Sequence, residues 1–402
     1  MLAALISQFL VQLAVSMARP VSSYRLLAVG ADATAVGMVA AAFALPPMLL
    51  AMPFGRWSDR RNPGLLLAAG ACLAAVGAFA LSRATTVGEL ALWTALLGIG
   101  HLALVVGAQS LIAQSLSAQS LSAQSPIARD ATRADGLTSF GLLTVSASLG
   151  QMAGPLLGGF LSQTDGPTPT VDSTSLSLAV AALFALVAIP IAAGTLRVQS
   201  RATKRAADRR GPESAMRLLR TRGMPAALLA SFGSKGSTDL IIAYLPVLGN
   251  ELGLDARSVG VLLSLSAGAA ILARLGMPWL VRRTRTQLSL AVSTAVSGLC
   301  IFLLPLGRTF VPLAVLMVVL GFLLALAQTV TMVWVVALAS AGSEGSALGL
   351  RLAGNRVGQV AVPGLAGLVS GVAGVAAVFS LLGLVMAAIT AVVLRDHRRD
   401  ST

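Results

Sequence analysis

Some of the ionisable side chains lie deep within apolar stretches of the sequence. Lys235 and Asp239 are four residues apart in one stretch, and His101 lies in the middle of another. A four-residue spacing places the lysine and the aspartate on the same face of a helix, where they can form an ion pair. Ionisable groups are costly inside a membrane segment and typically mark a pathway for a substrate, an ion or a proton. Proton binding and release is the chemistry that this pattern favours, with Asp239 and His101 as the candidate groups.

Each candidate also has a structural interpretation. The Lys235/Asp239 pair is equally typical of an ion pair that only joins helices. His101 titrates near physiological pH in water, but it is also suited to a hydrogen bond with a neighbouring helix or a bound molecule. Burial and the nearby lysine act in opposite directions on the proton affinity of Asp239. The residues alone leave the two interpretations open.

Helices that cross a membrane must position these residues. Of the 402 residues, 56% are hydrophobic and only 11% are charged. The apolar stretches are about 20 residues long, which is enough for a helix to cross a hydrocarbon core of about 30 Å. They show no alternation of apolar and polar residues, which argues against a membrane β-barrel. The sequence therefore predicts an all-α integral membrane protein.

Twelve membrane spans are predicted from these stretches. They lie near residues 2–22, 35–54, 64–82, 88–112, 134–161, 175–195, 225–249, 257–281, 288–306, 311–338, 347–371 and 374–394. A basic and polar linker at 196–224 divides the chain into an N-terminal half at 1–195 and a C-terminal half at 225–394, followed by a tail at 395–402. A tandem five-residue repeat, AQSLSAQSLSAQSPI at 113–127, is expected to extend the end of the fourth span or the loop after it.

The basic residues are concentrated in alternate connections between the spans. The net charge is +14, and most lysines and arginines follow the second, fourth, sixth and eighth spans or the last one. This distribution is typical of cytoplasmic loops, so we expect both termini in the cytoplasm and the protein in the cell membrane. It does not indicate nucleic-acid binding. For the linker we favour a solvated tether over recognition of anionic lipid headgroups, which would also attract it.

An internal repeat relates the two halves. The segment GQMAGPLLGGFL at 150–161 and the segment GQVAVPGLAGLV at 358–369 share six of twelve residues at a shift of 208. Two similar membrane halves around a central cavity are the usual structure of secondary transporters. We therefore expect two pseudo-symmetric halves of six helices each.

The connection between the second and third spans carries a charged motif. It reads GRWSDRRNPG, and its defining residues are Gly55, Asp59, Arg60 and Arg61. The spacing resembles the loop motif of the major facilitator superfamily, with Asn62 in place of the second glycine of that motif. The resemblance implies a cytoplasmic gate in which Asp59 caps or pairs with the opposite half. Arg60 and Arg61 are also explained as residues that fix the topology.

A glycine-rich stretch in the fifth span strengthens the resemblance. It reads GLLTVSASLGQMAGPLLGG and is similar to a pattern of the drug–proton antiporters within the superfamily. Its fixed positions are Gly141, Gly150, Gly154, Pro155, Gly158 and Gly159. Glycines four residues apart allow close packing of helices, and a proline bends a helix. Close packing is the favoured role, and a hinge or seal for alternating access is compatible with it.

The resemblance covers nearly the whole chain and implies that spans one, four, seven and ten line a central cavity. The implied lining residues are Gln8, Gln12, Ser16, His101, Lys235, Asp239, Gln328, Thr331 and Trp334. Three arginines in other positions, Arg19, Arg274 and Arg356, either bind a substrate anion or extend towards the end of a helix. The sequence favours the second role for them.

The sequence as a whole predicts a secondary active transporter that moves small organic molecules by alternating access, with proton-coupled efflux as its mode. The expected partners are the small-molecule substrate, protons and the lipid bilayer. The chain is expected to act as a monomer without a cofactor or a metal ion. The alternative among transporters is a proton-driven importer or a facilitator of a small metabolite. A membrane sensor of the same fold is disfavoured because it would need a large soluble domain or an apolar cavity.

An enzyme is not expected. The sequence has only two histidines, His101 and His397, and its two cysteines, Cys72 and Cys300, lie in separate apolar stretches. It contains neither a cluster of cysteines and histidines with metal-ligand spacing nor a glycine loop with a lysine that would bind phosphate.

Overall fold

The structure is a computed structural model, and it describes residues 2–122, 126–164, 169–197, 215–283, 286–339 and 344–401. Within these ranges the chain forms twelve long helices, which coincide with the twelve predicted spans. In the first half they are α1 (Leu2–Ala28), α2 (Ala33–Arg60), α3 (Pro63–Arg83), α4 (Val87–Ser122), α5 (Pro126–Ser162) and α6 (Val171–Gly194). In the second half they are α7 (Met224–Glu251), α8 (Ala256–Arg283), α9 (Thr286–Leu303), α10 (Phe310–Leu338), α11 (344–373) and α12 (375–401).

The last two helices follow each other directly and are separated by a kink at one residue. The helical stretch Glu344–Ser401 is interrupted at Gly374, where φ is 80° and ψ is 171°. Glycine adopts this conformation without the steric cost that a side chain would add. Because of this break, the stretch forms two helices of the bundle. A single straight helix of 58 residues would instead extend far beyond the bundle.

Most of these helices are long and apolar enough to cross a membrane. Ten stretches of the described residues meet that standard by length and composition, and one of them runs through both α11 and α12. The helix α7, which carries Lys235 and Asp239, is not among the ten. Its polar residues are therefore accommodated by burial against other helices.

The predicted linker lies mostly outside the described residues, which omit 198–214. Its described flanks are a 3₁₀ turn at Thr195–Arg197 and a short helix at Ala215–Leu219. We call the end of the bundle that carries these flanks the linker end, and the opposite end, with the α1–α2 and α7–α8 connections, the closed end. The predicted tail at 395–402 continues α12 as a helix to Ser401.

At the closed end of the first half, a buried arginine joins three helices. Arg25, in the last turn of α1, is 1% exposed. It donates to the backbone oxygens of Ala84 at 2.9 Å and Ser82 at 3.2 Å, at the end of α3. It also donates to the hydroxyls of Thr174 at 3.1 Å and Ser175 at 2.7 Å in α6. These acceptors satisfy a charge that would otherwise be costly inside the bundle.

The two halves meet at the closed end through glycines. A Cβ atom built on Gly260 in α8 would lie 2.5 Å from the backbone oxygen of Pro155 and 3.0 Å from the Cα of Gly159, both in α5. Such a separation is too short for a side chain, so the helices contact each other backbone to backbone.

The second contact between the halves repeats the first. A Cβ atom built on Gly37 in α2 would lie 2.5 Å from the backbone oxygen of Pro363 and 2.6 Å from the Cα of Gly367, both in α11. Pro363 and Gly367 are the repeat partners of Pro155 and Gly159 at the shift of 208. The internal repeat therefore encodes two equivalent contacts, α5 with α8 and α11 with α2.

Hydrogen bonds reinforce the closed end. The hydroxyl of Tyr244 in α7 donates to the backbone oxygen of Ala33 at 2.9 Å. The hydroxyl of Ser264 in α8 donates to the backbone oxygen of Met152 at 2.7 Å. Together with the glycine contacts, these bonds hold the two halves against each other on this side of the membrane protein.

The AQSLS repeat is an insertion in the first half. Gly98 in α4 packs on the backbone of Phe43, and Gly321 in α10 packs on the backbone of Ser266 in the same way. Gly321 and Ser266 lie 223 positions after Gly98 and Phe43, respectively. The α5 and α11 segments, in contrast, are related by a shift of 208. The difference of 15 residues equals the length of the segment 113–127. As expected from the sequence, residues 113–122 of this segment lengthen α4, which runs to Ser122.

We expect Gly159→Ala to destabilise the protein, because its new Cβ would lie 2.5 Å from the backbone oxygen of Ala256. Overpacking of this kind typically costs about 1–3 kcal/mol. Gly141→Ala, in the same helix, is the matched control, because a Cβ there meets no atom within 4 Å and alanine favours helices. Thermal unfolding in detergent should show a lower Tm for the first variant only. Equal Tm values would contradict the glycine contact.

Candidate functional site

A cavity of about 190 Å³ lies between the two halves. Helices α1, α2, α4 and α5 of the first half and α7, α8, α10 and α11 of the second contribute to its wall. The polar side chains of the wall are Gln12, Ser16, Arg19, His101, Gln151, Lys235, Thr238, Ser266, Arg274, Gln328, Arg356 and Gln359. Its apolar side chains include Val15, Phe43, Ile241, Leu263 and Leu324.

A buried carboxylate lies directly behind this wall. Asp239, in the middle of α7, is 1% exposed. Its Oδ1 is 2.6 Å from the Nη1 of Arg19 in α1, and its Oδ2 is 3.0 Å from the Nζ of Lys235. The side-chain amide of Gln359 in α11 donates to Oδ2 at 3.0 Å. Two cations and an amide, from three helices, thus compensate a charge that would be costly to bury alone.

The partners of Asp239 are held by further contacts. The guanidinium of Arg19 lies 4.6 Å from the ring centroid of Phe43 in α2, a cation–π contact. The side-chain oxygen of Gln359 accepts a hydrogen bond from Nη1 of Arg356 at 3.0 Å. A continuous set of polar contacts therefore crosses the interface between the halves, from α2 through α1 and α7 to α11.

His101 belongs to a second set of contacts, within the first half. Its Nε2 is 2.9 Å from the side-chain oxygen of Gln12 in α1. The amide nitrogen of Gln12 donates to the hydroxyl of Ser16 at 3.0 Å. Because an amide oxygen only accepts, this arrangement assigns the proton of the imidazole to Nε2. The ring centroid of His101 is 6.0 Å from that of Phe43.

A third polar cluster lies within the second half. Arg351 in α11 donates to the side-chain oxygen of Gln328 at 2.9 Å and to the hydroxyl of Thr331 at 3.3 Å, both in α10. Asn355 donates to the same oxygen of Gln328 at 3.3 Å and accepts from the hydroxyl of Ser231 in α7 at 2.8 Å. The cluster joins α7, α10 and α11 and supports the wall of the cavity next to Gln328.

The structure separates the predicted lining residues into three groups. Those on the wall are Gln12, Ser16, His101, Lys235 and Gln328. Asp239 is behind the wall and touches wall residues. The remaining three, Gln8, Thr331 and Trp334, are buried and are not on the wall. A cavity-lining helix presents only one of its faces to the cavity, and helical spacing alone does not say which level of that face the cavity reaches.

The wall also contains residues that the sequence did not place there. Arg19, Arg274 and Arg356 line the cavity, although the sequence favoured a location at helix ends. Gln359 lies three residues after Arg356, and that helical spacing was a signal that both residues share a face. Within the described residues, no three His, Cys, Asp or Glu side chains are placed to hold a metal ion.

The charged loop motif lies at the linker end of α2. Arg60 and Arg61 are exposed there, and α2 includes Asp59, whose side chain lies outside the described part of the structure. A Cβ on Gly55 would meet no atom within 4 Å. Asn62 caps α3 by accepting from the backbone N–H of Gly64 at 2.8 Å, a capping role that a glycine at this position would not fill.

The glycine-rich stretch of α5 makes contacts on two sides. Cβ atoms on Gly150, Gly154 and Gly158 would lie within 3.0 Å of atoms in α1. Gly159 and Pro155 instead contact α8, as described above. The arrangement shows close packing on both sides of the helix, and a hinge role is not required to explain it.

The amino-acid sequence matches a known family along most of its length. A sequence profile of the Major Facilitator Superfamily matches residues 4–310. The chain belongs to this superfamily. The prediction of an all-α membrane protein with twelve helices in two halves is confirmed by this match together with the fold. No curated protein sequence matches the chain.

Solved structures with the same fold are transporters. A point mutant of the nucleoside transporter NupG superposes with a TM-score of 0.79 at 16% identity, covering 98% of this chain and 99% of that one. A bacterial homologue of the human lysosomal transporter Spinster, in an inward-facing and occupied conformation, gives 0.76 at 12%, covering 98% and 96%. A POT family transporter in complex with 5-aminolevulinic acid gives 0.72 at 15%, covering 98% and 94%. Together with the family match, the superpositions show that the protein has the fold of a multi-pass membrane transporter.

We expect Asp239→Asn and Arg19→Gln to have non-additive effects on stability. Asp239→Asn leaves Arg19 and Lys235 without their carboxylate, and adding Arg19→Gln removes one of those two charges. The double variant should therefore be less destabilised than the sum of the single variants, by about 0.5–3 kcal/mol. Thermal unfolding of the wild type, both single variants and the double variant in detergent measures this interaction between the two side chains. Additive changes in Tm would show that the two side chains do not interact.

Proposed function

We propose that the protein is a secondary active transporter that exchanges a small organic molecule for protons and moves that molecule out of the cell. The observation that carries the proposal is the position of Asp239. This carboxylate is bound by Arg19 from the first half and by Lys235 and Gln359 from the second, directly behind the wall of the cavity between the halves.

An ion pair between the halves couples naturally to alternating access. If the two halves rock about the central site, the distance between α1 and α7 changes. Arg19 and a proton compete for the same carboxylate oxygen, so a conformation that withdraws Arg19 favours protonation of Asp239. By linkage, protonation favours that conformation to the same extent.

The charged and polar groups around Asp239 define the pH dependence. They are Lys235 on α7, Arg19 on α1, Arg356 and Gln359 on α11, and His101 on α4. His101 is the second candidate for the coupled proton, because it lies on the cavity wall within electrostatic range of Asp239. The hydrogen bond from His101 to Gln12 favours a neutral, positioning role over proton transport.

The proposed direction rests on topology and on the glycine-rich stretch. With both termini in the cytoplasm, the closed end is extracellular. Because glycine contacts and hydrogen bonds join the halves at that end, we expect the cavity to be reached from the cytoplasmic side. A substrate would then load from the cytoplasm in this conformation. The pattern at 141–159, which resembles that of drug–proton antiporters, supports efflux.

Import remains the second candidate, and the structural neighbours give it support. Two of these neighbours are a nucleoside transporter and a POT family transporter in complex with 5-aminolevulinic acid. A proton-driven importer or a facilitator would use the same cavity. A sensor is less compatible with the polar cavity wall. Because one chain supplies the whole cavity, the proposed functional unit is a monomer in the cell membrane.

Proton flux in proteoliposomes tests this proposal. With an imposed inward proton gradient, an internal pH-sensitive dye reports flux as organic cations, anions and neutral compounds are added in turn. We expect one class of compound to trigger flux, Asp239→Asn to abolish it, and His101→Gln to retain most of it. Glu251→Gln is the matched control, because Glu251 is an exposed carboxylate at the end of the same helix.

Two results would contradict the proposal. Flux that persists in Asp239→Asn but is lost in His101→Gln would move the coupled proton to α4. Radiolabelled solute that equilibrates without any proton flux would show a facilitator.

A further inference from the structure

The wall of the cavity carries more positive than negative charge. Four cationic side chains line it: Arg19, Lys235, Arg274 and Arg356. In the described part of the chain no aspartate or glutamate is on the wall, and the carboxylate behind it is Asp239. Four cations against one carboxylate leave a net charge of +3 around a cavity inside the membrane region.

Among the residues that the structure describes, two of the four cations have carboxylate partners and two do not. Arg19 and Lys235 both contact Asp239. Arg356 instead donates to the neutral side chain of Gln359 at 3.0 Å, and Arg274 donates to the hydroxyl of Ser148 at 2.7 Å. A guanidinium has five N–H donors, so one hydrogen bond leaves most of the donors of each arginine for a ligand.

These cations share one region of the cavity. Arg19, Lys235, Arg274 and Arg356 all line the same cavity of about 190 Å³. Like charges in a region of low dielectric repel one another and are costly to bury without counter-charge. The charges of the wall are therefore not balanced by the protein itself, and an anion would compensate them.

The apolar side chains and the volume of the cavity indicate what the uncharged part of the ligand is. Val15, Phe43, Ile241 and Leu324 provide apolar contacts on several sides. The cavity volume is about 190 Å³, and a cavity of about 150 Å³ accommodates benzene. A molecule of the size of one substituted ring therefore fits this cavity.

We infer that the transported molecule is a compact organic anion, with a carboxylate bound by Arg356 and Arg274 and a small apolar body. This inference rests on the proposed transport function and specifies its substrate class. The planar guanidinium of Arg356 matches the geometry of a carboxylate, to which it can donate two parallel hydrogen bonds.

An organic cation is a poorer fit to the same site. It would have to bind Asp239, which is 1% exposed and already contacts two cations. It would also approach Arg274 and Arg356 at the cost of like-charge repulsion.

Binding of a matched series of small aromatic compounds to the purified protein tests the inference. Benzoate, phthalate, phenyl phosphate, benzyl alcohol and benzylamine share one ring and differ in the charge of the head group. A ligand that binds the folded state raises the Tm in proportion to its affinity. We expect benzoate or phthalate to raise the Tm, and benzyl alcohol and benzylamine to have no effect. A larger response to phenyl phosphate than to either carboxylate would reject the carboxylate assignment.

Variants of the two arginines locate the site. Arg356→Gln and Arg274→Gln should each weaken carboxylate binding about tenfold or more, and Arg356→Lys should have an intermediate effect. Without ligand, Arg356→Gln should be at least as stable as the wild type, because it removes a repelled charge. Arg308→Gln is the matched control, because Arg308 is an exposed arginine between α9 and α10. Equal stabilisation by carboxylates in Arg356→Gln and wild type, or stabilisation only by benzylamine, would overturn the inference.

The outcomes separate this inference from the proposed function. Carboxylate binding that depends on Arg356, without proton flux in proteoliposomes, would support the anion site and reject proton coupling. Proton flux triggered only by cations or neutral compounds would support proton coupling and reject the anion site.

Discussion

The ion pair between Arg19 and Asp239 imposes the strongest constraint on this structure. A carboxylate that is 1% exposed inside a membrane protein requires compensation, and one of its cations comes from the opposite half, at 2.6 Å. That distance is possible only if α1 and α7 are adjacent. The backbone contacts of Gly37 with Gly367 and of Gly159 with Gly260 bring the halves together at the closed end. Small residues at the closed end thus permit charge compensation at the centre.

Local pattern predicted the architecture well. The apolar stretches gave the position of the twelve helices, because a helix that crosses lipid must satisfy its own backbone and be apolar over about 20 residues. The internal repeat predicted the two halves, and the structure shows its physical content: Pro155 and Pro363 occupy equivalent positions against glycines of the opposite half. The four-residue spacing of Lys235 and Asp239 correctly gave one ion pair.

The site was less accessible to sequence reasoning, because its main contacts join distant segments. Arg19 and Asp239 are 220 positions apart, and no periodicity connects residues on different helices. Gln8 and Trp334 have polar atoms in suitable spans, but the rotation and level of each helix place them away from the cavity. These quantities are set by packing between helices, which follows ridges, grooves and small residues across the whole bundle.

The inserted AQSLS repeat makes one helix of the first half longer than its counterpart in the second half. Helix α4 has 36 residues, or about 54 Å at 1.5 Å per residue, whereas its counterpart α10 has 29, or about 44 Å. Since the hydrocarbon core is about 30 Å thick, the additional turns of α4 extend into water at the linker end. The first half therefore has a helical extension at the linker end that the second half lacks. A fluorophore or an antibody fragment attached to it would follow the tilt of one half in an intact membrane, far from the bound solute.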